Sequence, residues 1–137
     1  MRMLWHMAAA ALLAGSIALA QEEVDVRPAS GAAEAWLELV DQGRYGASWD
    51  EAATTFKAAI PRLKWETTAQ DARNALGPLV KRKLRGARHA RNLPNAPEGE
   101  YVVIQHDTRF DSRQAVETVT MMKQADGAWR TAGYFVH

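Results

Sequence analysis

The sequence has no cysteine among its 137 residues. This absence excludes disulfides, cysteine-ligated metal sites, thiol nucleophiles and the cysteine-linked lipid anchor of bacterial lipoproteins. A chain of this length usually forms a single domain, and here that domain has to be stable by packing alone.

An excess of charge of one sign is also absent, because 17 Lys and Arg residues stand against 16 Asp and Glu residues, which gives a formal net charge of +1. Without Arg2, the charged residue of the first twenty, 16 basic residues remain against 16 acidic ones. The overall charge therefore favours no particular class of partner.

Long hydrophobic runs are absent after the N-terminus, where residues 4–13 form a stretch rich in Ala and Leu. Arg2 precedes this stretch and an A-x-A motif ending at Ala20 follows it, which is the pattern of a secretory signal peptide. A membrane-spanning helix needs about 20 apolar residues, more than this run provides. We therefore expect a signal peptide over residues 1–20, a mature chain that begins at Gln21 with no transmembrane segment, and a periplasmic or secreted protein.

Helical patterns fill the first half of the mature chain. Residues 21–31 are acidic and then rich in Pro, Ser and Gly, which predicts a flexible leader. A single domain over residues 32–137 should follow, beginning with a helix over 32–42. The capping box at 48–51 predicts the start of a second helix, and the apolar spacing of 63–76 predicts a third.

Six Lys or Arg residues lie in the stretch from Lys81 to Arg91. This stretch can form one more short helix with Val80 and Leu84 facing inward, although Gly86 disfavours it. Its charge suits phosphate-rich surfaces such as lipid headgroups or lipopolysaccharide, or an acidic protein. It equally suits a solvated face that acidic residues elsewhere balance. Nucleic acid is not an expected partner, since the stretch lacks interleaved aromatic residues for base stacking.

The second half of the domain has the pattern of strands. After a loop over 92–99 with two prolines and a glycine, the hydrophobic period changes from about 3.6 to about 2. Strands are predicted over 100–110, 115–123 and 128–136, with turn signals between them. The predicted fold class is therefore α+β, with three N-terminal helices packed on a C-terminal three-stranded antiparallel β-meander. The helices must cover one face, because a small meander cannot bury its apolar side alone.

An ordered set of motifs runs through almost the whole mature chain. It consists of Trp36-Leu37, Asp41-x-Gly43-x-Tyr45, Ser48-Trp49, Trp65, Arg73, Leu76-Gly77, Arg82, Leu93-Pro94, Gly99-x-Tyr101, Thr108-x-Phe110, Glu117-Thr118-Val119, Gly127-x-Trp129-Arg130 and Gly133-Tyr134. From Ala32 onward the chain resembles the exported bacterial family called domain of unknown function 4019. Asn95 departs from the family pattern, in which glycine follows the Leu-Pro pair, and this affects only the local turn geometry. The resemblance implies an exported domain without assigned activity and carries over no catalytic residues.

The order of helices followed by a curved sheet is also similar to the cystatin-like and NTF2-like folds. In those folds the sheet wraps around a helix and leaves a pocket at the mouth. A similarity of fold implies a place for a ligand, but it does not imply a function.

His106 and Glu117 are the candidates for acid–base chemistry. Strand alternation places His106 and Asp107 on opposite faces, so these neighbours cannot form a dyad without a bulge. Glu117 is expected roughly opposite Asp107 across the turn. The favoured interpretation is a solvated strand face with a salt bridge to Arg109 or Arg130. No histidine spacing suits a metal and no motif indicates a cofactor, so neither is expected.

Aromatic residues and buried charges make up the predicted binding site. Most tryptophans are expected in the core because they lie on helical apolar stripes, whereas Tyr45 and Trp49 are expected to be half exposed. Arg73 and Glu117 are the candidates for buried charges, and a pair between them would fix a helix on the sheet. The predicted ligand-binding residues are Trp49, Tyr45, Arg73, Arg82 and Glu117.

Three functional classes remain open at this point. The leading interpretation is a non-enzymatic exported domain that binds an unknown small ligand, lipid or protein partner, in a shallow pocket between helices and sheet or through the basic stretch. The alternative is a small NTF2-like pocket enzyme with His106 or Glu117 as general acid or base. A purely structural envelope or stress protein is the third class, and it needs neither a titratable group in a cleft nor a binding surface.

Overall fold

Residues 23–137, the part of the chain that the computed structural model describes, fold into four helices followed by four strands. The helices are α1 (Arg27–Asp41), α2 (Tyr45–Asp50), α3 (Thr54–Ala59) and α4 (Arg62–Leu76). The strands are β1 (Leu79–Arg91), β2 (Glu100–Phe110), β3 (Gln114–Lys123) and β4 (Trp129–Val136). The predicted α+β class is confirmed, with one more helix and one more strand than expected, while the predicted signal peptide lies outside the described residues.

The strands form one antiparallel sheet in the order β1-β2-β3-β4, so each strand pairs with its neighbour in sequence. The helices cover one face of this sheet, which we call the inner face, and Val102, Ile104, Val119 and Met121 of β2 and β3 pack against them. No helix within residues 23–137 is long and apolar enough to cross a membrane.

The basic stretch is a strand, and the prediction of a short helix there is wrong. Val80 and Leu84, predicted to face inward, are 62% and 48% exposed. Lys, Arg and Leu are good helix formers, and two bulges, one near Val80 and one near Arg85, interrupt the alternation that would have indicated a strand. Pairing with β2 along the whole length of β1 overrides the local preference.

The first helix begins five residues before its predicted start, so residues 27–31 belong to α1 and not to a flexible leader. Pro28 is compatible with this start because the backbone N–H groups of the first turn have no partner within the helix. Ala29 is fully buried against the core, which explains why the helix extends so far. The helix ends as predicted before Gly43, whose φ of 74° favours glycine.

The capping box predicted at Ser48 is not formed. Ser48 lies inside α2 and is fully buried, and its hydroxyl donates to the Tyr45 carbonyl at 2.6 Å. The same oxygen accepts a hydrogen bond from Trp65 Nε1 at 2.9 Å, and the Ser48 carbonyl accepts one from Trp36 Nε1 at 2.8 Å. Ser48 therefore joins α2 to α1 and α4, and the helix predicted to start there is two short helices.

An aromatic cluster fills the space between the helices and the sheet. Trp36 lies at its centre, with ring centroids 5.8 Å from Trp65 and 5.4 Å from Tyr134. Phe56 packs edge-on against Trp65 at 5.1 Å. Trp36 and Trp65 are buried, as their positions on helical stripes predict.

The β1–β2 loop folds back over one end of the outer face of the sheet, which is the face opposite the helices. Tyr101 lies on that face, and its hydroxyl donates to the Pro97 carbonyl at 2.5 Å. Asn95 has a φ of 59°, a left-handed conformation that asparagine tolerates better than most residues. Asparagine can therefore occupy the position where the family pattern has glycine.

We predict that Ser48→Ala lowers the free energy of unfolding by about 1–3 kcal/mol, because it leaves the buried indole N–H of Trp65 without an acceptor. Urea unfolding followed by tryptophan fluorescence measures the change. Ser112→Ala, in the exposed turn before β3, is the matched control and should change stability by less than about 0.5 kcal/mol. Equal unfolding midpoints for the two variants would contradict the prediction.

Candidate functional site

A group of charged and polar side chains ties two helices to the inner face of the sheet. We call it the buried ion cluster, and each member comes from a different helix or strand. The members are Asp41 of α1, Arg73 of α4, Arg82 of β1, Thr108 of β2, Glu117 of β3 and Tyr134 of β4.

Glu117 lies at the centre of the buried ion cluster and has no exposed surface. Its Oε1 accepts hydrogen bonds from Arg82 Nε at 2.7 Å and from the Thr108 hydroxyl at 2.6 Å. Its Oε2 accepts from the Tyr134 hydroxyl, from Arg82 Nη2 at 3.2 Å and from Arg73 Nη2 at 3.4 Å. Both carboxylate oxygens are therefore fully occupied by donors from the protein itself.

Asp41 supplies the second carboxylate. Its Oδ1 accepts from Arg73 Nη1 and Arg82 Nη2, both at 2.9 Å, and its Oδ2 accepts from Arg82 Nη1 at 2.7 Å. The Arg73 guanidinium also lies over the Phe110 ring, 5.0 Å from its centroid. The two carboxylates and two guanidiniums make the buried ion cluster formally neutral.

These contacts shift the ionisation of the acidic members. Burial alone would raise the pKa of Glu117, but hydrogen bonds from Arg82, Thr108 and Tyr134 outweigh it and hold that pKa below its usual value. Asp41 follows the same pattern: burial opposes ionisation, yet the two arginines lower its pKa. Burial and the Glu117 charge raise the pKa of the Tyr134 hydroxyl, so it remains a donor. Both carboxylates are therefore ionised at neutral pH.

The register of the sheet corrects the expectation for the acid–base candidates. Glu117 pairs with His106, whereas Asp107 pairs with Val116. His106 is only 3% exposed and faces inward with Glu117, so the solvated strand face expected for them is wrong. Asp107 lies on the outer face, 3.7 Å from Arg85, and His106 and Asp107 form no dyad, as alternation predicts.

His106 occupies an unusual environment for a histidine. Burial is the main reason that its pKa is lowered, with a further contribution from the charge of Arg82, while Glu117 and Glu34 oppose the shift. Within residues 23–137 its Nδ1 has no hydrogen-bond partner. The imidazole is therefore neutral at neutral pH and does not join the buried ion cluster through a hydrogen bond.

The structure brings together three of the five predicted ligand-binding residues. Arg73, Arg82 and Glu117 meet in the buried ion cluster, and the predicted Arg73–Glu117 pair is present at 3.4 Å. Tyr45 and Trp49 are half-buried on α2, outside the cluster. Tyr45 lines a cleft of about 450 Å³ together with Arg73, whereas Trp49 donates its indole N–H to the Ile60 carbonyl at 2.8 Å.

A separate cleft of about 390 Å³ opens between α1, α2 and β4, and none of the predicted ligand-binding residues lines it. Its walls are mostly apolar or aromatic, and its rim is charged. The lining includes Ala35, Trp36, Leu39, Arg44, Ala47, Glu51, Met121, Trp129, Arg130 and Thr131. We call it the α1–β4 cleft.

The charged rim of the α1–β4 cleft is unevenly paired. Arg130 lies 3.4 Å from the Glu51 carboxylate, which offsets its charge. Arg44 is exposed and makes no ion pair with any residue of the described part of the chain. No sequence pattern indicated this site, because its lining residues come from distant segments and have no motif in common.

Comparison with known proteins settles the family. A family model described as "Protein of unknown function (DUF4019)" matches residues 32–134. The chain belongs to this family. The matched region of this DUF4019 domain contains every member of the buried ion cluster and the α1–β4 cleft. No curated protein matches the chain. Within residues 23–137 of the domain, no three His, Asp or Glu side chains converge in a way that could hold a metal ion.

We predict that Glu117→Gln lowers the free energy of unfolding of the DUF4019 domain by about 3–5 kcal/mol, because it leaves buried guanidinium charge uncompensated. Urea unfolding at neutral pH measures the loss. Glu38→Gln, on the exposed side of α1, is the matched control, with an expected change below about 0.5 kcal/mol. A loss for Glu117→Gln no larger than that of the control would mean that the cluster contributes little.

Acid should weaken the domain through the same carboxylates. Their pKa values are lower in the folded chain than in the unfolded chain. Their contribution is therefore complete above about pH 4.5 and is lost as the pH falls through the lowered folded values. Neutral, buried His106 adds an earlier loss that starts below about pH 6.5, since it binds a proton more readily when unfolded.

Urea midpoints measured from about pH 7 down to about pH 3 test this pH dependence. The wild type should fall steeply below about pH 4.5, whereas Glu117→Gln should fall less steeply there and share the loss due to His106. Identical slopes for the two proteins in the acidic range would exclude Glu117 as a source of the pH dependence.

Proposed function

We propose that the chain is an exported, non-enzymatic binding domain that holds a small amphipathic anion in the α1–β4 cleft. The export part of the proposal rests on the signal-peptide pattern of residues 1–20. The binding part rests on one observation: Arg44, which has no ion-pair partner among residues 23–137, stands at the rim of an apolar cleft.

The size and lining of the α1–β4 cleft support this proposal. Its volume of about 390 Å³ lies at the lower end of the range for small-molecule sites, roughly 300–1,000 Å³. Such sites are mostly apolar with a few placed polar groups. The rings of Trp36 and Trp129 line the cleft beside the body of a ligand, and Arg44 is a polar group at its rim.

The charge at the rim supports an anionic ligand. Because Glu51 already offsets Arg130, Arg44 is the cation available to a carboxylate or phosphate group of a ligand. A planar guanidinium binds such groups through two parallel hydrogen bonds. The ligand that fits best therefore has an apolar body within the cleft and one anionic end at Arg44.

The alternative of a pocket enzyme has less support. A general acid or base needs a titratable group that can reach a substrate. Both oxygens of Glu117 accept hydrogen bonds from the protein, and His106 is buried. Neither side chain lines the α1–β4 cleft. Arg82 and Tyr134, whose pKa values are both strongly raised, hydrogen-bond to Glu117 within the buried ion cluster, which is the environment of a structural group.

The proposed fold relationship is to the cystatin-like and NTF2-like folds. The long helix α1 lies against an antiparallel sheet of four sequential strands, and the cleft opens beside that helix. This arrangement agrees with the position of the pocket in those folds, and the similarity bears on fold alone.

Native mass spectrometry of protein purified without denaturation from the producing cell tests the proposal. We expect an added mass on a chain that starts at Gln21. Ala35→Trp should abolish the added mass by filling the cleft, whereas Ala72→Trp, at an exposed position of α4, should retain it. Arg44→Gln should weaken retention about tenfold or more, since a hydrogen bond to a charged group contributes roughly 1.5–3 kcal/mol.

Two outcomes would overturn the proposal. A bare mass for the wild type at every protein concentration would argue against a tightly held ligand. An added mass that persists in Ala35→Trp would place the ligand elsewhere on the domain.

A further inference from the structure

The outer face of the sheet, opposite the helices, carries a concentration of positive charge. Strand alternation and the bulge near Arg85 turn most basic residues of β1 to this face, while Arg82 points inward to the buried ion cluster. All of the outward cations are exposed. We call this surface the outer basic face, and it consists of Lys81, Lys83, Arg85, Arg88 and Arg109.

Little negative charge offsets the outer basic face. Among the strand positions that point outward in the described residues, Asp107 is the one acidic side chain, and it lies 3.7 Å from Arg85. Five cations therefore stand against one carboxylate, although the chain after residue 20 is formally neutral. The domain is electrically asymmetric, with its excess positive charge on one side.

Protection of a sheet edge does not account for this surface. Lysines and bulges on an edge strand commonly prevent pairing with another chain, and β1 is an edge strand. Arg109, however, lies on β2, which is paired on both sides, and it extends the charge inward from the edge. The charge is gathered on one face of the sheet, whereas edge protection needs only charge along the edge.

The outer basic face suits a broad anionic partner better than a small ligand. None of its five cations lines the α1–β4 cleft or the cleft beside Tyr45. Lys81 and Lys83 are two residues apart on one strand, so their Cα atoms are about 7 Å apart. A row of exposed, flexible cations at this spacing can contact several anionic groups of one plane at the same time.

An apolar side chain stands on the same face at the opposite edge of the sheet. Phe135 of β4 is 66% exposed. It belongs to one rung of the sheet with Thr118 and Gln105, and that rung ends at Gly86 beside the Arg85 bulge. Three strand spacings, about 14 Å, separate Phe135 from β1. A plane that touches the cations can therefore also receive an aromatic ring.

We propose that the outer basic face docks the domain on a membrane surface rich in anionic phospholipid headgroups. The phosphates neutralise the cations of β1 and Arg109, and Phe135 inserts at the level of the headgroups. Each Lys or Arg near such a surface strengthens binding by roughly fivefold, and the attraction is screened by salt. The α1–β4 cleft opens on the helical side and remains accessible, so this inference does not depend on the proposed ligand site.

Vesicle flotation tests the inference on the protein as the producing cell processes it. Measurement of the intact mass identifies the N-terminal residue of that protein. The wild type should bind vesicles that contain phosphatidylglycerol and should not bind pure phosphatidylcholine vesicles. Binding should disappear at about 1 M salt, where the Debye length is about 3 Å. The double variant Lys83→Gln/Arg88→Gln should bind about 25-fold more weakly.

A matched control removes the same charge from the helical side. Lys64→Gln/Arg27→Gln changes two exposed cations on α4 and α1 and should bind like the wild type. Equal weakening by both double variants would reduce the effect to net charge and overturn the inference. Absence of wild-type binding to phosphatidylglycerol at low salt would overturn it as well, and retention on immobilised polyglutamate would then assign the face to an acidic protein.

Discussion

The buried carboxylate of Glu117 is the constraint on which the arrangement of helices and sheet depends. An ionised group without exposure to water is strongly destabilising unless donors satisfy it, and here arginines, a hydroxyl and a phenol do so. These donors come from α4 and from the three remaining strands of the sheet, β1, β2 and β4. The geometry that keeps Glu117 charged therefore holds the helical layer on the sheet.

The same requirement specifies the register of β3. A shift by one residue would turn Glu117 to the outer face and bring Thr118 inward, which would leave two arginines buried without their carboxylate. Asp41 adds a second bond between α1 and the same arginines. Because these groups satisfy one another, the most polar part of the interior is structural, and the α1–β4 cleft, the proposed ligand site, lies along the opposite side of α1.

The two surfaces proposed for function differ in chemistry. The α1–β4 cleft is aromatic and apolar, its rim carries Arg44, which pairs with no acidic residue in the described part of the chain, and it lies on the helical side of the sheet. The outer basic face is broad and positively charged, and it lies on the other side. The two proposals therefore assign an amphipathic ligand to one side of the sheet and an anionic surface to the other. The buried ion cluster links α1 and α4 to the sheet, so it fixes the position of the helical side relative to the outer basic face.

The sequence by itself determined the features that depend on local patterns. Alternation placed β2 over its observed range, Gly43 indicated the end of α1 just before it, and the helical stripes located Trp36 and Trp65 in the core. The ordered motifs were sufficient to identify the family. Each of these follows from the periodicity of one segment or from the conformational freedom of one residue.

Tertiary structure decided everything that depends on contact between distant segments. The basic stretch became β1 because β2 supplied a pairing partner along its whole length, which outweighs helix propensity. Ser48 lost its expected capping role because two tryptophans use its side chain and carbonyl as acceptors. The α1–β4 cleft exists only where helix and strand meet, so no sequence window could indicate it. Local patterns encode periodicity, whereas hydrogen-bond partners and cavities arise only after the chain has folded.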